Sequence, residues 1–136
     1  MPSVPTVTIA GFAHLGIRVH DLERSLSFYR LLGFEKTAGP IGPEPVAILM
    51  HPSGLELNLV LNAPDAQTPN VLMDVPHKSP GITHLALECP DIAAAAKAIE
   101  AAGFTVRDRV TFPTGAQGLF VRDPDGVVIE LHQRAR

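Results

Sequence analysis

Polar and apolar positions alternate at two places in the chain, 70 residues apart. The runs are AHLGIRV at 13–19 and THLALEC at 83–89. Strict alternation predicts a strand with one buried face. Each run leads to an aspartate, Asp21 or Asp91, placed to accept N–H groups in the first turn of a helix. The helical stretch that follows spaces Leu22, Leu26 and Tyr29 along one face in the first case and is alanine-rich in the second. Gly33 and Gly103 then stand where a left-handed residue ends a helix, and Phe34 and Phe104 begin the next extended segment. Further on, Pro52-Ser53-Gly54 and Pro124-Asp125-Gly126 each separate two apolar runs, a hairpin pattern.

These features form an internal repeat. Residues 11–34 and 81–104 align without a gap, and Gly11/Gly81, His14/His84, Leu15/Leu85, Asp21/Asp91, Gly33/Gly103 and Phe34/Phe104 are identical. Each half reads strand–helix–strand–strand–strand, so the predicted class is α+β: two βαβββ modules with a helix on one side of each sheet. Module one covers about 10–61 and module two about 81–133, within one domain spanning 1–136. Residues 62–80 carry Pro64, Pro69, Pro76 and Pro80 without helical or strand period and read as a connector. Pro40, Pro43 and Pro45 predict a second loop.

Composition narrows the function. The 136 residues hold 11 lysines and arginines against 14 aspartates and glutamates, a net charge of −3. Nucleic acid and anionic membranes are therefore not expected partners. The start, MPSVPTVTIAGF, lacks a basic segment followed by a long apolar one, so no secretory leader is expected, and no apolar run is long enough to span a bilayer. One cysteine, Cys89, excludes an intrachain disulfide and points to a reducing, cytoplasmic setting. Cys89 falls on the leucine side of its strand and is expected to be buried and inert.

The period of two sorts the polar residues. Leu15, Ile17 and Val19 share one face of the first strand, and His14, Gly16 and Arg18 share the other. In the second copy Leu85 and Leu87 oppose His84, Ala86 and Glu88. After the hairpins, Leu55, Leu57, Leu59 and Leu61 oppose Glu56, Asn58 and Val60, while Ile129 and Leu131 oppose Val128, Glu130 and His132. A sheet with one face in water shows the same alternation. What distinguishes this chain is that each half puts one histidine and one glutamate at equivalent places on the polar face. If the halves pack about a pseudo-two-fold axis, His14, Glu56, His84 and Glu130 can meet as ligands for one Zn, Ni, Mn or Fe ion. Arg18, Asn58 and Glu88 face the same way as candidate substrate-binding residues, although Arg18 and Glu88 could instead pair with each other. His132 either lines this site or ends a solvated strand. His20, His51 and His77 are expected at the surface, and Gly115 and Gly118 in FPTGAQG suggest a mobile loop.

The two His-bearing strands, the helices ending in LLGF and AAGF, and FVRDPDGVVIEL resemble the vicinal-oxygen-chelate superfamily over about residues 10–133. That superfamily includes glyoxalase I, methylmalonyl-CoA epimerase, fosfomycin-resistance enzymes, extradiol dioxygenases and bleomycin-resistance proteins. The resemblance implies a glyoxalase-like fold with a cupped mixed sheet around one divalent metal, held by His14, Glu56, His84 and Glu130. This ligand set looks most like that of glyoxalase I. It implies a metal-dependent lyase or isomerase acting on a small substrate that chelates through vicinal oxygens, with the ion stabilising an oxyanion or enediolate. Glu130 is then the first candidate for the catalytic base and Glu56 the second. The alternatives are an extradiol-type dioxygenase and a non-catalytic protein that binds a small molecule or drug. Val60 replaces an asparagine of the glutathione-binding pattern, and there is no histidine between His84 and His132 to match the ring-cleaving pattern. Family members commonly dimerise, and open sheet edges favour pairing, so a homodimer is expected.

Overall fold

The computed structural model describes residues 4–64 and 68–136. Part of the predicted connector, residues 65–67, therefore lies outside the described residues. Module one runs β1 (Leu15–Arg18), α1 (Leu22–Leu31), β2 (Glu35–Ile41), β3 (Val46–Met50) and β4 (Glu56–Val60). Module two repeats the order with β5 (His84–Glu88), α2 (Ile92–Ala101), β6 (Val106–Thr111), β7 (Gln117–Arg122) and β8 (Val128–Gln133). Both helices are ten residues long, and neither is long and apolar enough to cross a membrane.

The local signals act as their chemistry dictates. The Asp21 side chain accepts from the Arg24 N–H at 3.1 Å, and Asp91 accepts from Ala94 at 3.0 Å, so each caps its helix. Gly33 and Gly103 take φ of +97° and +89°, the left-handed geometry that ends each helix cheaply only at glycine.

Each module makes a four-stranded mixed sheet, ordered β1-β4-β3-β2 and β5-β8-β7-β6. The first strand of each module pairs parallel with its last, and the other neighbours are antiparallel. Two expectations about loops need correction. Pro40 lies inside β2 rather than in a loop, which is tolerated because β2 is an edge strand whose ladder is already irregular there. Gly118 is a residue of β7 and not of a mobile loop.

The leucine-rich faces of both sheets meet the helices in one core. It draws Ile17, Leu26, Phe28, Tyr29, Phe34 and Leu59 from module one and Ile92, Ile99, Leu119, Ile129 and Leu131 from module two. Phe28 meets Phe104 edge to face across the modules, with ring centroids 5.2 Å apart. Burying each such ring contributes roughly 2–3 kcal/mol. Cys89 packs against this core from the expected strand face but is half-buried rather than buried.

A polar latch joins the modules beside the aromatic pair. The buried Tyr29 hydroxyl donates to Asp123 Oδ2 at 2.7 Å. Asp123 Oδ1 accepts the N–H groups of Asp125 and Val127, which shapes the turn between β7 and β8. The His20 N–H donates to Asp125, and Arg24 donates to the Pro124 carbonyl. Burial pushes the Asp123 carboxyl up, and its three hydrogen bonds pull it back only in part. Burial raises the Tyr29 hydroxyl well above its ordinary value, and the neighbouring Asp123 charge adds to that.

The latch also corrects the expectation for His20. It sits at the start of α1 against Asp125, with only 10% of its side chain exposed. His51 is likewise half-buried. Its Nε2 lies 3.1 Å from the Leu32 carbonyl, and its ring packs on Phe34. His77 is exposed, as expected.

Candidate metal centre

With the leucine-rich faces packed on the helices, the other face of each sheet carries the candidate ligands. The parallel ladder aligns Leu15 with Leu57, so His14 and Glu56, one residue earlier on each strand, lie directly across from each other. His14 Nδ1 is 3.5 Å from Glu56 Oε2. In module two the ladder aligns Ala86 with Glu130, so His84 reaches Glu130 diagonally. His84 Nε2 is 3.2 Å from Glu130 Oε1. The different geometry follows from the hairpins. Glu56 stands two residues beyond Gly54 and Glu130 four beyond Gly126, one strand period further along.

These spacings suit a shared cation. Two donors about 2.1 Å from one ion and at right angles to each other lie about 3 Å apart. At 3.5 Å the first pair is too long for a strong hydrogen bond between its members. Both histidines keep nearly half of their side chains accessible, at 47% for His14 and 40% for His84. A neutral imidazole nitrogen beside a carboxylate oxygen is a borderline-to-hard donor set that fits Zn, Ni, Mn or Fe. His84 Nδ1 is 2.9 Å from the Thr83 hydroxyl, an outer contact of the kind that fixes a ligand ring's orientation.

The two pairs do not converge. Among the described residues, no three His, Cys, Asp or Glu side chains are grouped so that they could hold a metal ion. Each module therefore presents half of the predicted ligand set on its own face.

The candidate substrate-binding residues behave differently from one another. Arg18 donates to Asn62 at 2.8 Å and to Glu44 at 3.1 Å, and Glu88 pairs with Arg134. They do not pair with each other, because β1 and β5 belong to separate ladders. The Glu44 carboxyl is lowered, chiefly by the Asn62 amide and then by Arg18. Asn58 follows Glu56 on the same face of β4, opposite Gly16 and Ile48, and its Oδ1 is buried without a hydrogen-bond partner among the described residues.

The sequence left His132 open between two readings and gave no sign of Phe112. His132 Nδ1 lies 2.6 Å from Glu130 Oε2, so it borders the candidate centre rather than ending a solvated strand. Phe112 lies over Gly118 and stacks on the His132 ring at 5.8 Å. The i, i+2 spacing of Glu130 and His132 gives their common face, but not the hydrogen bond or the stacking phenylalanine.

The surroundings are apolar where the free strand edges lie. Among the described residues, the edges of β1 and β5 that face away from β4 and β8 carry no ladder. A cleft of about 1040 Å³ borders β5 and is lined by Phe12, Leu31, Leu55, Leu85 and Leu131. Phe12 and Ile82, equivalent in the repeat, are each 70% exposed, two residues ahead of His14 and His84.

Comparison with known proteins extends these observations. The family model described as "Glyoxalase/Bleomycin resistance protein/Dioxygenase superfamily" matches residues 11–131. No curated protein matches the chain. Solved structures share the fold. A glyoxalase family protein from Enterococcus faecalis is 26% identical with a TM-score of 0.76, covering 91% of this chain and 98% of that one. The fosfomycin resistance protein FosX from Listeria monocytogenes, as a variant complexed with Mn(II) and 1S,2S-dihydroxypropylphosphonic acid, is 16% identical at a TM-score of 0.73, covering 93% and 94%. Lactoylglutathione lyase from Agrobacterium tumefaciens is 18% identical at 0.68, covering 93% and 95%. The matched span runs from ahead of β1 into β8 and contains all four candidate ligands, and the chain belongs to the glyoxalase/bleomycin resistance protein/dioxygenase superfamily.

Proposed function

We propose that this chain is a divalent-metal-dependent lyase or isomerase of the glyoxalase type, active as a homodimer. In this reading each metal centre combines His14 and Glu56 of one copy with His84 and Glu130 of a second. The observation that carries it is the pair of His–Glu half-sites, each at the spacing of ligands to one ion, that stay apart within a single chain.

A second copy supplies what one chain lacks. The unpaired edges of β1 and β5 are templates for association, and Phe12 and Ile82 offer equivalent apolar contacts beside them. A two-fold dimer that sets β1 of one copy beside β5 of the other repeats the contact twice and closes. Both modules of each copy are then used, and two centres form.

When bound, the divalent ion supplies Lewis-acid polarisation of two neighbouring substrate oxygens. The remaining chemistry belongs to the side chains. Glu130, with only 7% of its side chain exposed, is shielded from water and is the first candidate to move a proton at the carbon next to a carbonyl. Glu56, more open at 28%, is the second. Asn58 offers its free amide oxygen next to Glu56 to a substrate hydroxyl. Val46, Ile48, Met50 and Val60 share that sheet face, and Arg122, on the Glu130 face of module two, already holds Asp74 at 2.9 Å. This environment favours a small substrate without an anionic arm over a glutathione conjugate.

Mixing two inactive variants tests the shared centre. Glu56→Ala and Glu130→Ala each remove one half-site. A mixed dimer restores one intact centre of two, so statistical mixing should recover about a quarter of the wild-type metal content. Recovery of none, with wild type loading metal fully, shows that the centre is not shared between two copies in this way. A wild type that takes up no metal, with ligand binding unaffected by His84→Ala, replaces the enzyme with a sequestering protein.

A further inference from the structure

We propose that His132 is a positioning residue that aims Glu130 at the metal centre. The proposal rests on the metal-centre reading above, but its geometry stands within module two alone. His132 Nδ1 lies 2.6 Å from Glu130 Oε2, and a carboxylate oxygen at that distance accepts a hydrogen bond when the ring carries its proton on Nδ1. That contact occupies one carboxylate oxygen. The other, Oε1, is the oxygen 3.2 Å from His84 Nε2. Glu130 is thus held between two rings with its oxygens assigned to different partners. Glu56 has His14 near Oε2 and gains no comparable second histidine from its own strand, where Asn58 occupies the position equivalent in spacing.

The ring that holds Glu130 is itself held. The antiparallel ladder places Gly118 directly across from His132. A Cβ at Gly118 would come within 3.1 Å of Phe112 and 3.2 Å of Phe120. The absence of that carbon leaves room for Phe112, whose ring stacks on His132 with centroids 5.8 Å apart and an interplanar angle of 27°. Phe120, opposite Glu130 in the ladder, packs edge-on against His84 at 5.9 Å. Gly118, Phe112 and His132 therefore fix one side of Glu130, and Phe120 and Thr83 fix the His84 ring on the other. Outer contacts of this kind orient a ligand and commonly change metal affinity 10–100-fold when removed.

Two variants separate positioning from structural support. His132→Phe keeps a ring for Phe112 to stack on and removes the donor. His132→Asn places an amide nitrogen at the same reach as Nδ1. The full-length protein is titrated with Mn(II), followed by calorimetry and by the electron paramagnetic resonance signature of the bound ion. The expected result is a loss of about 10–100-fold in Mn(II) affinity for His132→Phe, a recovery to within about threefold for His132→Asn, and similar melting temperatures of the metal-free proteins. An affinity of His132→Phe within about twofold of wild type, or a melting temperature that falls in step with affinity, overturns the proposal and leaves the metal centre standing. Metal-free protein carrying nitrogen-15 histidine gives the independent readout. His132 should show its proton on Nδ1, and His132→Phe should shift the His84 ring nitrogens. If wild type binds none of Mn(II), Zn(II), Ni(II) or Fe(II) while these signals are present, the metal-centre reading fails and the positioning of Glu130 holds. A proton on Nε2 of His132 instead overturns the positioning.

Discussion

The Tyr29–Asp123 bond ties α1 of module one to the β7–β8 turn of module two, across 94 residues of sequence, and Tyr29→Phe isolates its worth. The substitution removes one oxygen. The ring keeps its edge-to-face contacts with Phe28 at 5.1 Å and Phe34 at 6.1 Å, so no large cavity opens. Asp123 Oδ1 keeps its two backbone donors, at 2.8 and 2.9 Å, while Oδ2 loses its tyrosine donor in a residue only 4% exposed. A buried hydrogen bond to a charged group contributes about 1.5–3 kcal/mol, so a loss of about 2 kcal/mol is expected. For a chain of this length that corresponds to roughly 6–10 °C in Tm.

Urea unfolding followed by circular dichroism should show a lower midpoint with an unchanged slope. The pH dependence tests the cause. Burial raises the folded Asp123 value above the unfolded one, so this group binds its proton more readily in the folded protein and contributes more stability as pH falls through the folded value. Tyr29 partly opposes that rise, so its removal raises the value further. The difference between wild type and variant should therefore be largest at neutral pH and shrink toward acid. A loss under about 0.5 kcal/mol at neutral pH, or one that grows toward acid, would refute the reasoning.

Three further outcomes follow from the same contacts. Burial and then the Asp123 charge hold Tyr29 well above its ordinary value of 10.0, so wild-type stability should fall as pH rises past that value, and Tyr29→Phe should lack this component in denaturant melts. Asp21→Ala and Asp91→Ala each remove a helix cap and should cost about 1 kcal/mol, with the double variant additive to within about 0.5 kcal/mol because the caps share no partner. Gly33→Ala must hold a Cβ at φ +97° and 2.9 Å from His51 Nε2, and should cost about 1–2 kcal/mol by thermal melting, whereas Gly11→Ala, with nothing within 4 Å, should not.

Much of the fold was legible because its signals are local. A capping aspartate, a left-handed glycine and a turn triplet act within a few residues, so Asp21, Gly33 and Pro52-Ser53-Gly54 could be read without knowing what they pack against. The alternation in AHLGIRV and THLALEC sorted His14 from Leu15 and His84 from Leu85 for the same reason. Long-range partners were not legible. His20 and His51 looked like surface residues because nothing nearby in the chain says that Asp125 or Phe34 will cover them. Arg18 and Glu88 face as expected, but their ion-pair partners are Glu44 and Arg134.

The sequence by itself therefore determined two copies of one module and the residue types that each offers on its polar face. Side-chain facing depends only on strand period, and strand period is written in neighbouring residues. Tertiary structure decided how those offers combine. Packing α1 and the leucine-rich faces into one core left the His14–Glu56 and His84–Glu130 pairs on separate sheets. It also brought His132 and Phe112 to the back of Glu130 and joined the modules through Tyr29 and Asp123. Those outcomes depend on which surfaces bury each other, a property of the whole chain that no local pattern carries.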